Sequence, residues 1–202
     1  MAWELASGSA PEAGLSALFR GASLLTRSGE AISVLAGLRN RNVLLYFASS
    51  EAEPCRHFTP LLRKFYCLAR EADESIAVIF VSDDKTREEQ LACFRGEDMH
   101  PEWLMVELLG VEDIMDEFGI EKIPSLVVLD RDGKSAVKGA RDQVWDLFQA
   151  HGDDTAAARS AVAEKWAEWR RVAGDWRASP GHTLGGSSGG HAASSSSGGP
   201  AP

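Results

Sequence analysis

The stretch that decides the fold is LYFASSEAEPCRHFTP, residues 45–60. It begins inside an apolar run, residues 43–47, which is typical of a strand covered on both faces. Five apolar side chains then recur at helical spacing, which predicts a helix over about residues 54–72. They are Phe58, Leu61, Leu62, Phe65 and Leu68. The loop between strand and helix lies at the carboxyl end of the strand, where open α/β sheets place their sites.

Strands and helices continue to alternate beyond this stretch. A second buried strand is predicted at residues 76–81, and a helix follows it to about Phe94, with Ser82, Asp83 and Asp84 as candidate caps. The later segments are a strand at 103–106, a helix at about 111–118, a strand at 125–129, an antiparallel return at 135–138 and a helix at about 141–149. This order predicts an α/β domain with a central mixed sheet flanked by helices.

The two ends of the chain differ in composition from its middle. Residues 1–17 are rich in Ala, Gly, Ser and Glu, and we interpret them as a weakly structured extension before a domain over residues 18–152. Residues 153–177 predict an amphipathic helix, and residues 178–202 predict a disordered Gly/Ser-rich tail. The apolar seam of that helix comprises Val162, Trp166, Trp169, Ala173 and Trp176. The seam either packs against its own domain or docks a partner.

Composition argues against several classes of protein. The formal net charge of −9 leaves no basic face for nucleic acid. No apolar run approaches the ~20 residues of a membrane helix, and the opening MAWELASGSAPEAG lacks the features of a secretory signal. Cys55, Cys67 and Cys93 do not form a disulfide framework, and we interpret Cys67 and Cys93 as small buried hydrophobes. We therefore expect a cytoplasmic monomer that binds neither nucleic acid nor a membrane.

The stretch at residues 45–60 resembles the redox motif of the thioredoxin superfamily, in the nucleoredoxin, nucleoredoxin-like and tryparedoxin branch. Those proteins read close to YF-S-A-S-W-C-P-P-C-R-x-F-T-P at this point. The matching residues are Tyr46-Phe47, Ser50, Pro54-Cys55-Arg56 and Phe58-Thr59-Pro60, followed by Met99, Trp103-Leu104, Val106 and residues 119–126. The resemblance implies a thioredoxin-like fold, a cis-proline at Pro124 and exchange chemistry on protein thiols and disulfides.

The sequence departs from that motif at its first cysteine. In a CxxC site the first cysteine is exposed at the helix start and attacks the substrate, and the second resolves the mixed disulfide. Counting back from Cys55, the first position holds Ala52. Glu51 stands where the branch carries an exposed Trp, and Glu53 follows Ala52; both carboxylates oppose formation of a thiolate. The ordinary dithiol cycle therefore cannot run.

Two functions remain open. In the first, Cys55 acts alone as a monothiol nucleophile on protein disulfides, favoured by the first helical turn and by Arg56. In the second, the fold has lost redox catalysis and recognises a protein partner. In either case the resemblance implies a substrate groove formed by Glu51, Glu53, Pro54, Ile123 and Pro124. The histidines show no metal-ligand spacing, and we expect neither a metal nor another cofactor.

Overall fold

The computed structural model describes residues 11–20, 22–107, 110–152 and 155–174. The predicted disordered tail, residues 178–202, lies outside these ranges, and so does Trp176 of the predicted seam. Within the described residues, no helix combines the length and apolarity needed to cross a bilayer.

Six strands of the described residues form one mixed sheet. They are β1 (Leu24–Leu25), β2 (Ala31–Ile32), β3 (Asn42–Ala48), β4 (Ile76–Ser82), β5 (Leu104–Val106) and β6 (Ser125–Val128). Their order is β2-β1-β5-β4-β3-β6. Strands β3, β4 and β5 run parallel, whereas β6 pairs antiparallel with β3, and β1 pairs antiparallel with β5 and β2. Every residue of β3 and β4 is buried, as their continuous apolar runs predict.

Seven helices of the described residues surround the sheet. They are α1 (Pro11–Leu18), α2 (Val34–Leu38), α3 (Glu53–Ala72), α4 (Arg87–Phe94), α5 (Val111–Glu117), α6 (Ala140–His151) and α7 (Ala156–Ala173). Alternate side chains of β3 enter two separate cores, because successive strand residues point to opposite faces. Leu44 and Tyr46 pack with α3, α6 and α7, whereas Leu45 and Phe47 pack with α1, α2 and α5. The predicted mixed sheet with helices on both faces is confirmed.

Helix α7 packs against α3 and α6. Trp166 and Trp169 of its predicted seam are almost fully buried. The ring centroid of Trp169 lies 5.1 Å from that of Phe65, and its indole N–H donates a hydrogen bond to the Gln143 amide oxygen at 3.1 Å. The described part of the seam is therefore packed within its own domain.

The predicted caps at residues 82–84 do not cap α4. The helix begins at Arg87, and its N-cap is Thr86, whose hydroxyl accepts a hydrogen bond from the Glu89 N–H. The Glu89 carboxylate accepts one in return from the Thr86 N–H, which completes a capping box. The S/T-x-x-E spacing thus decides where the helix begins, and the carboxylate of Asp84 makes other bonds.

Other local elements also differ from the sequence interpretation. Residues 11–18 form α1 instead of a weakly structured extension, and Leu15 and Phe19 are buried in the second core. A Cβ at Gly14 would lie 2.4 Å from the carbonyl carbon of Asp132, so a glycine permits this close approach. The antiparallel strand predicted at residues 135–138 is replaced by a single β-bridge between Leu129 and Ser135.

Candidate functional site

Two segments meet at one end of the sheet to form a groove. Phe47, near the end of β3, pairs with Ser125, at the start of β6, so the loop after β3 lies beside the segment before β6. The Ile123–Pro124 peptide bond is cis, as the resemblance implies. Pro54, Ile123 and Pro124 line one groove of about 530 Å³. The structure thus brings together three of the five residues predicted to bind substrate.

Apolar and basic side chains, together with the one acidic side chain of Asp142, line the groove. Leu126 and Val137 contribute apolar surface, and Lys122, Lys138 and Arg141 contribute positive charge. The guanidinium carbon of Arg141 lies 5.4 Å from the ring centroid of Phe58 and 5.1 Å from that of Trp145. These cation–π contacts orient Arg141, and its guanidinium also donates to the Asp142 carboxylate at 2.8 Å.

Glu51 and Glu53, the other two predicted substrate-binding residues, do not line this groove. Both side chains are exposed, Glu51 on the loop before α3 and Glu53 in the first turn. A carboxylate oxygen of Glu53 lies 3.9 Å from the Nε2 atom of His57, which is also exposed. The two glutamates therefore add negative charge beside the groove without forming its wall.

Ala52 begins helix α3. It is the N-cap residue, with extended backbone and no side chain that caps the helix. Its carbonyl oxygen accepts a hydrogen bond from the N–H of Cys55 at 2.9 Å. Pro54 occupies the first turn, where a residue without an N–H is tolerated. The helix start therefore carries a methyl group at the position where the resemblance predicts the attacking sulfur.

The thiol of Cys55 is buried, with 2% of the residue exposed. Burial raises the pKa of this thiol, and the negative charges of Asp84 and Asp83 raise it further. A hydrogen bond from the Ser49 backbone and the positive charge of Arg141 oppose the increase only in part. Arg56, which we expected to favour the thiolate, donates to the Ser50 carbonyl oxygen at 3.3 Å. The environment of Cys55 disfavours its reactive form.

Asp84 is a site residue that the sequence interpretation missed. Its carboxylate is buried and accepts hydrogen bonds from the N–H and hydroxyl of Ser50 and from the hydroxyl of Ser82. Ala48 pairs with Ser82 at the ends of β3 and β4, so residues following these parallel strands meet at one sheet edge. An acidic residue directly after a buried strand was the available signal, because the carboxyl ends of parallel strands lie together.

A hydroxyl pair joins β3 to the first turns of α3. The hydroxyl oxygens of Tyr46 and Thr59 are 2.7 Å apart, and the Thr59 hydroxyl donates to the Cys55 carbonyl oxygen at 2.7 Å. Burial raises the pKa of Tyr46, which keeps its phenol protonated as the donor to Thr59. This chain of hydrogen bonds holds the backbone of Cys55 against the sheet.

A second, smaller cavity of about 180 Å³ is lined by both Cys55 and Cys93. Cys93 lies in the last turn of α4, and burial raises its pKa to about 12. Cys93 is only half-buried, and so is Cys67 elsewhere on α3, so the prediction that both are buried hydrophobes is wrong in degree: each packs against the core while keeping part of its surface exposed. In the described part of the chain, no three His, Cys, Asp or Glu side chains are grouped as metal ligands.

Comparison with known proteins agrees with this geometry. Residues 40–135 match the family described as thioredoxin-like. Tryparedoxin of Trypanosoma brucei brucei is 33% identical over 123 residues, which are 59% of this chain and 81% of that protein. Nucleoredoxin-like protein 1 of Homo sapiens is 31% identical over 122 residues, 56% of either chain. The chain spans about half the length of the nucleoredoxin-like relatives that it matches.

Solved structures show the same likeness. Tryparedoxin II complexed with glutathionylspermidine is 27% identical, with a TM-score of 0.58 over 69% of this chain and 96% of that one. Tryparedoxin from Trypanosoma brucei is 30% identical, with a TM-score of 0.56 over 66% and 91%. Fold, groove and cis-proline thus define a thioredoxin-like protein. More narrowly, the chain belongs to the thioredoxin-like redox family in its nucleoredoxin and tryparedoxin branch.

Proposed function

We propose that this chain binds an extended segment of a protein partner in the groove between Pro54 and Pro124, without turning over protein disulfides. The burial of Cys55 carries this proposal, because only 2% of the residue is exposed. Thiol–disulfide exchange requires a thiolate that reaches the substrate sulfur. The half-buried N-cap position at the start of α3 is occupied by Ala52, which has no sulfur. These residues therefore support binding of a protein partner and not thiol–disulfide exchange.

The groove suits an extended segment that carries apolar and acidic side chains. Strand β6 lies at one edge of the described sheet, and an edge strand offers backbone groups to an added strand. Because Ala136 already donates to the Val128 carbonyl oxygen, an added strand would pair with the other end of β6, toward Ser125. Leu126 and Val137 supply an apolar lining for alternate side chains of such a segment. Lys122 and Lys138 supply positive charge that complements carboxylates. We therefore assign the partner segment an extended, acidic and apolar character.

Selection from a displayed random-peptide library tests this assignment. The full chain is immobilised, enriched peptides are sequenced, and the Kd of one synthetic peptide is measured by calorimetry. We expect acidic, apolar peptides whose affinity falls by about tenfold in the Lys122→Glu/Lys138→Glu variant. Lys134→Glu is the matched control, because Lys134 is exposed but lines a different cavity. Cys55→Ser should bind as the wild type does. Enriched peptides whose Kd is the same for the wild type and for Lys122→Glu/Lys138→Glu would contradict the assignment.

Monothiol exchange through Cys55 is the second candidate. Its support is the position of Cys55 in the first turn of α3 and the hydrogen bond from the Ser49 backbone, which offsets part of the rise in the thiol pKa that burial causes. In this second function Cys55 is the sole nucleophile toward protein disulfides. Reduction of insulin that is lost in Cys55→Ser supports this candidate over the binding function.

We further propose that the protein acts as a monomer in the cytoplasm. Cys55, Cys67 and Cys93 are all free thiols, which suits a reducing compartment. Among the described residues, Val172 is the one large hydrophobic side chain that is exposed, so no broad apolar patch invites self-association. Light scattering of the purified chain and microscopy of a tagged chain test these two statements.

A further inference from the structure

We propose that Cys55 and Cys93 form a redox pair that closes to an intramolecular disulfide when a small hydroperoxide reaches them. This pair differs from the motif pair at positions 52 and 55, because its second member, Cys93, lies near the end of α4. Both residues line the cavity of about 180 Å³. The inference goes beyond the proposed binding function, which requires no thiol.

Electrostatic contacts also place the two thiols in one neighbourhood. The negative charge of Asp84 acts on both Cys55 and Cys93. A negative charge on Cys55 raises the pKa of Cys93, and a negative charge on either thiol raises the pKa of the Tyr46 phenol. Cys67 has different charged neighbours, namely Arg63, Arg70, Glu71 and Glu102. Of the three cysteines, Cys55 and Cys93 are therefore the two whose thiols interact electrostatically with each other.

The cavity determines which oxidant can act. Because Cys55 is 2% exposed, a protein disulfide cannot approach its sulfur, whereas a molecule of peroxide size fits the neighbouring space. Each cysteine sulfur moves by rotation about a single χ1 bond between staggered positions. The proposal requires that such rotations bring the two sulfurs together beside the cavity that both residues line. The other side chains that line the cavity include Thr59 and Met99 as well as the charged Arg56 and Asp98.

The chemistry balances in two steps. The Cys55 thiol first loses its proton, which happens in only a small fraction of molecules at neutral pH because burial raises its pKa. That thiolate attacks a peroxide oxygen and breaks the O–O bond, which gives a sulfenic acid on Cys55; the departing hydroxide or alkoxide takes up the proton lost by the thiol and leaves as water or an alcohol. The sulfur of Cys93 then attacks the Cys55 sulfur, the S–O bond breaks, and a second molecule of water leaves with the Cys93 proton. The two thiols lose two electrons in total, and the hydroperoxide accepts them. A dithiol reductant returns both cysteines to the thiol form.

Peptide mapping of the oxidised full chain tests the pair. The reduced chain is treated with excess hydrogen peroxide, remaining thiols are blocked with N-ethylmaleimide, and non-reduced tryptic peptides are identified by mass spectrometry. We expect a linked Cys55–Cys93 peptide from monomeric protein. The titratable thiols per chain should fall from three to one, since two are consumed. Cys67→Ser is the matched control and should retain the linked peptide.

Cys93→Ser separates a pair from a solitary thiol. We expect this variant to accumulate a Cys55 sulfenic acid that dimedone traps, whereas the wild type traps little because Cys93 consumes it. Equal dimedone labelling of Cys55 in wild type and Cys93→Ser would overturn the proposal. Three titratable thiols remaining in the oxidised wild type would overturn it as well, and that measurement needs no variant. Peptide binding at the groove is measured separately, so either result stands without the other.

Discussion

The carboxylate of Asp84 accepts two hydrogen bonds from Ser50, one from its backbone N–H at 2.9 Å and one from its hydroxyl at 2.7 Å. The other carboxylate oxygen accepts from the Ser82 hydroxyl at 2.6 Å. Asp84 follows β4, whereas Ser50 lies in the loop between β3 and α3. A single buried carboxylate therefore ties the loop that precedes Ala52 to the neighbouring strand.

Substitution of Asp84 tests this anchor. Asp84→Ala removes the acceptor of three hydrogen bonds, and we expect the free energy of unfolding to fall by about 2 kcal/mol or more. Urea denaturation followed by tryptophan fluorescence measures the change. Asp83→Ala is the matched control, because the Asp83 side chain is exposed, and it should change stability by less than ~0.5 kcal/mol. Equal losses in the two variants would contradict the anchoring role.

Restoring a sulfur at the helix start tests the account of the motif. Ala52→Cys places a thiol at the N-cap of α3, where backbone N–H groups and the helix dipole favour the thiolate. We expect this variant to reduce insulin disulfides in the presence of dithiothreitol. Ala52→Ser is the control without sulfur; it should stay inactive and gain about 1 kcal/mol in stability, because it supplies the missing cap. A folded Ala52→Cys variant without activity would show that further features block the site.

Alkylation kinetics test the environment of Cys55. Burial, followed by the charges of Asp84 and Asp83, raises the pKa of its thiol, so the thiolate fraction at pH 7 is below that of an ordinary cysteine. We expect iodoacetamide to modify half-buried Cys67 before Cys55, and the Cys55 rate to keep rising at pH values above the ordinary thiol pKa. Mass spectrometry of quenched samples follows both sites. Modification of Cys55 first at pH 7 would contradict the burial argument.

The packing of α7 predicts a large effect of one tryptophan. Trp169→Ala removes a ring packed against Phe65 and the indole donor to Gln143. We expect a loss of about 3–5 kcal/mol in the free energy of unfolding, as for other buried tryptophans. Val172→Ala, on the exposed face of the same helix, should have almost no effect. Chemical denaturation of both variants makes the comparison, and a small loss in Trp169→Ala would mean that α7 does not stabilise the domain.

Much of the sheet is predictable because the chain signals it locally. The apolar runs at residues 43–47 and 76–81 are long enough to indicate buried strands, and both are observed. Strands β1 and β2 have two residues each, which is too short for an alternation of apolar and polar residues to be recognised. Helix α1 was missed because its few apolar residues gain their burial from packing on a distant part of the chain.

The candidate site likewise has some features that the sequence predicts and others that it does not. Cys55 and Ala52 follow from the order of residues in the contiguous motif at residues 45–60, and Pro124 follows from the separate segment 119–126 and the resemblance. The bonds from Ser50 to Asp84 depend on the register between β3 and β4, which no local pattern encodes. Cys93 reaches the cavity of Cys55 only through the packing of α4, so composition alone indicated a small buried hydrophobe.

Reduction of insulin by the full wild-type chain with dithiothreitol is the most direct test of the central claim, that the groove of this thioredoxin-like fold lacks an accessible nucleophile. Cys55 is buried and Ala52 begins α3, so we predict the rate of dithiothreitol alone. Turnover above that rate in the wild type, abolished by Cys55→Ser, would contradict the claim.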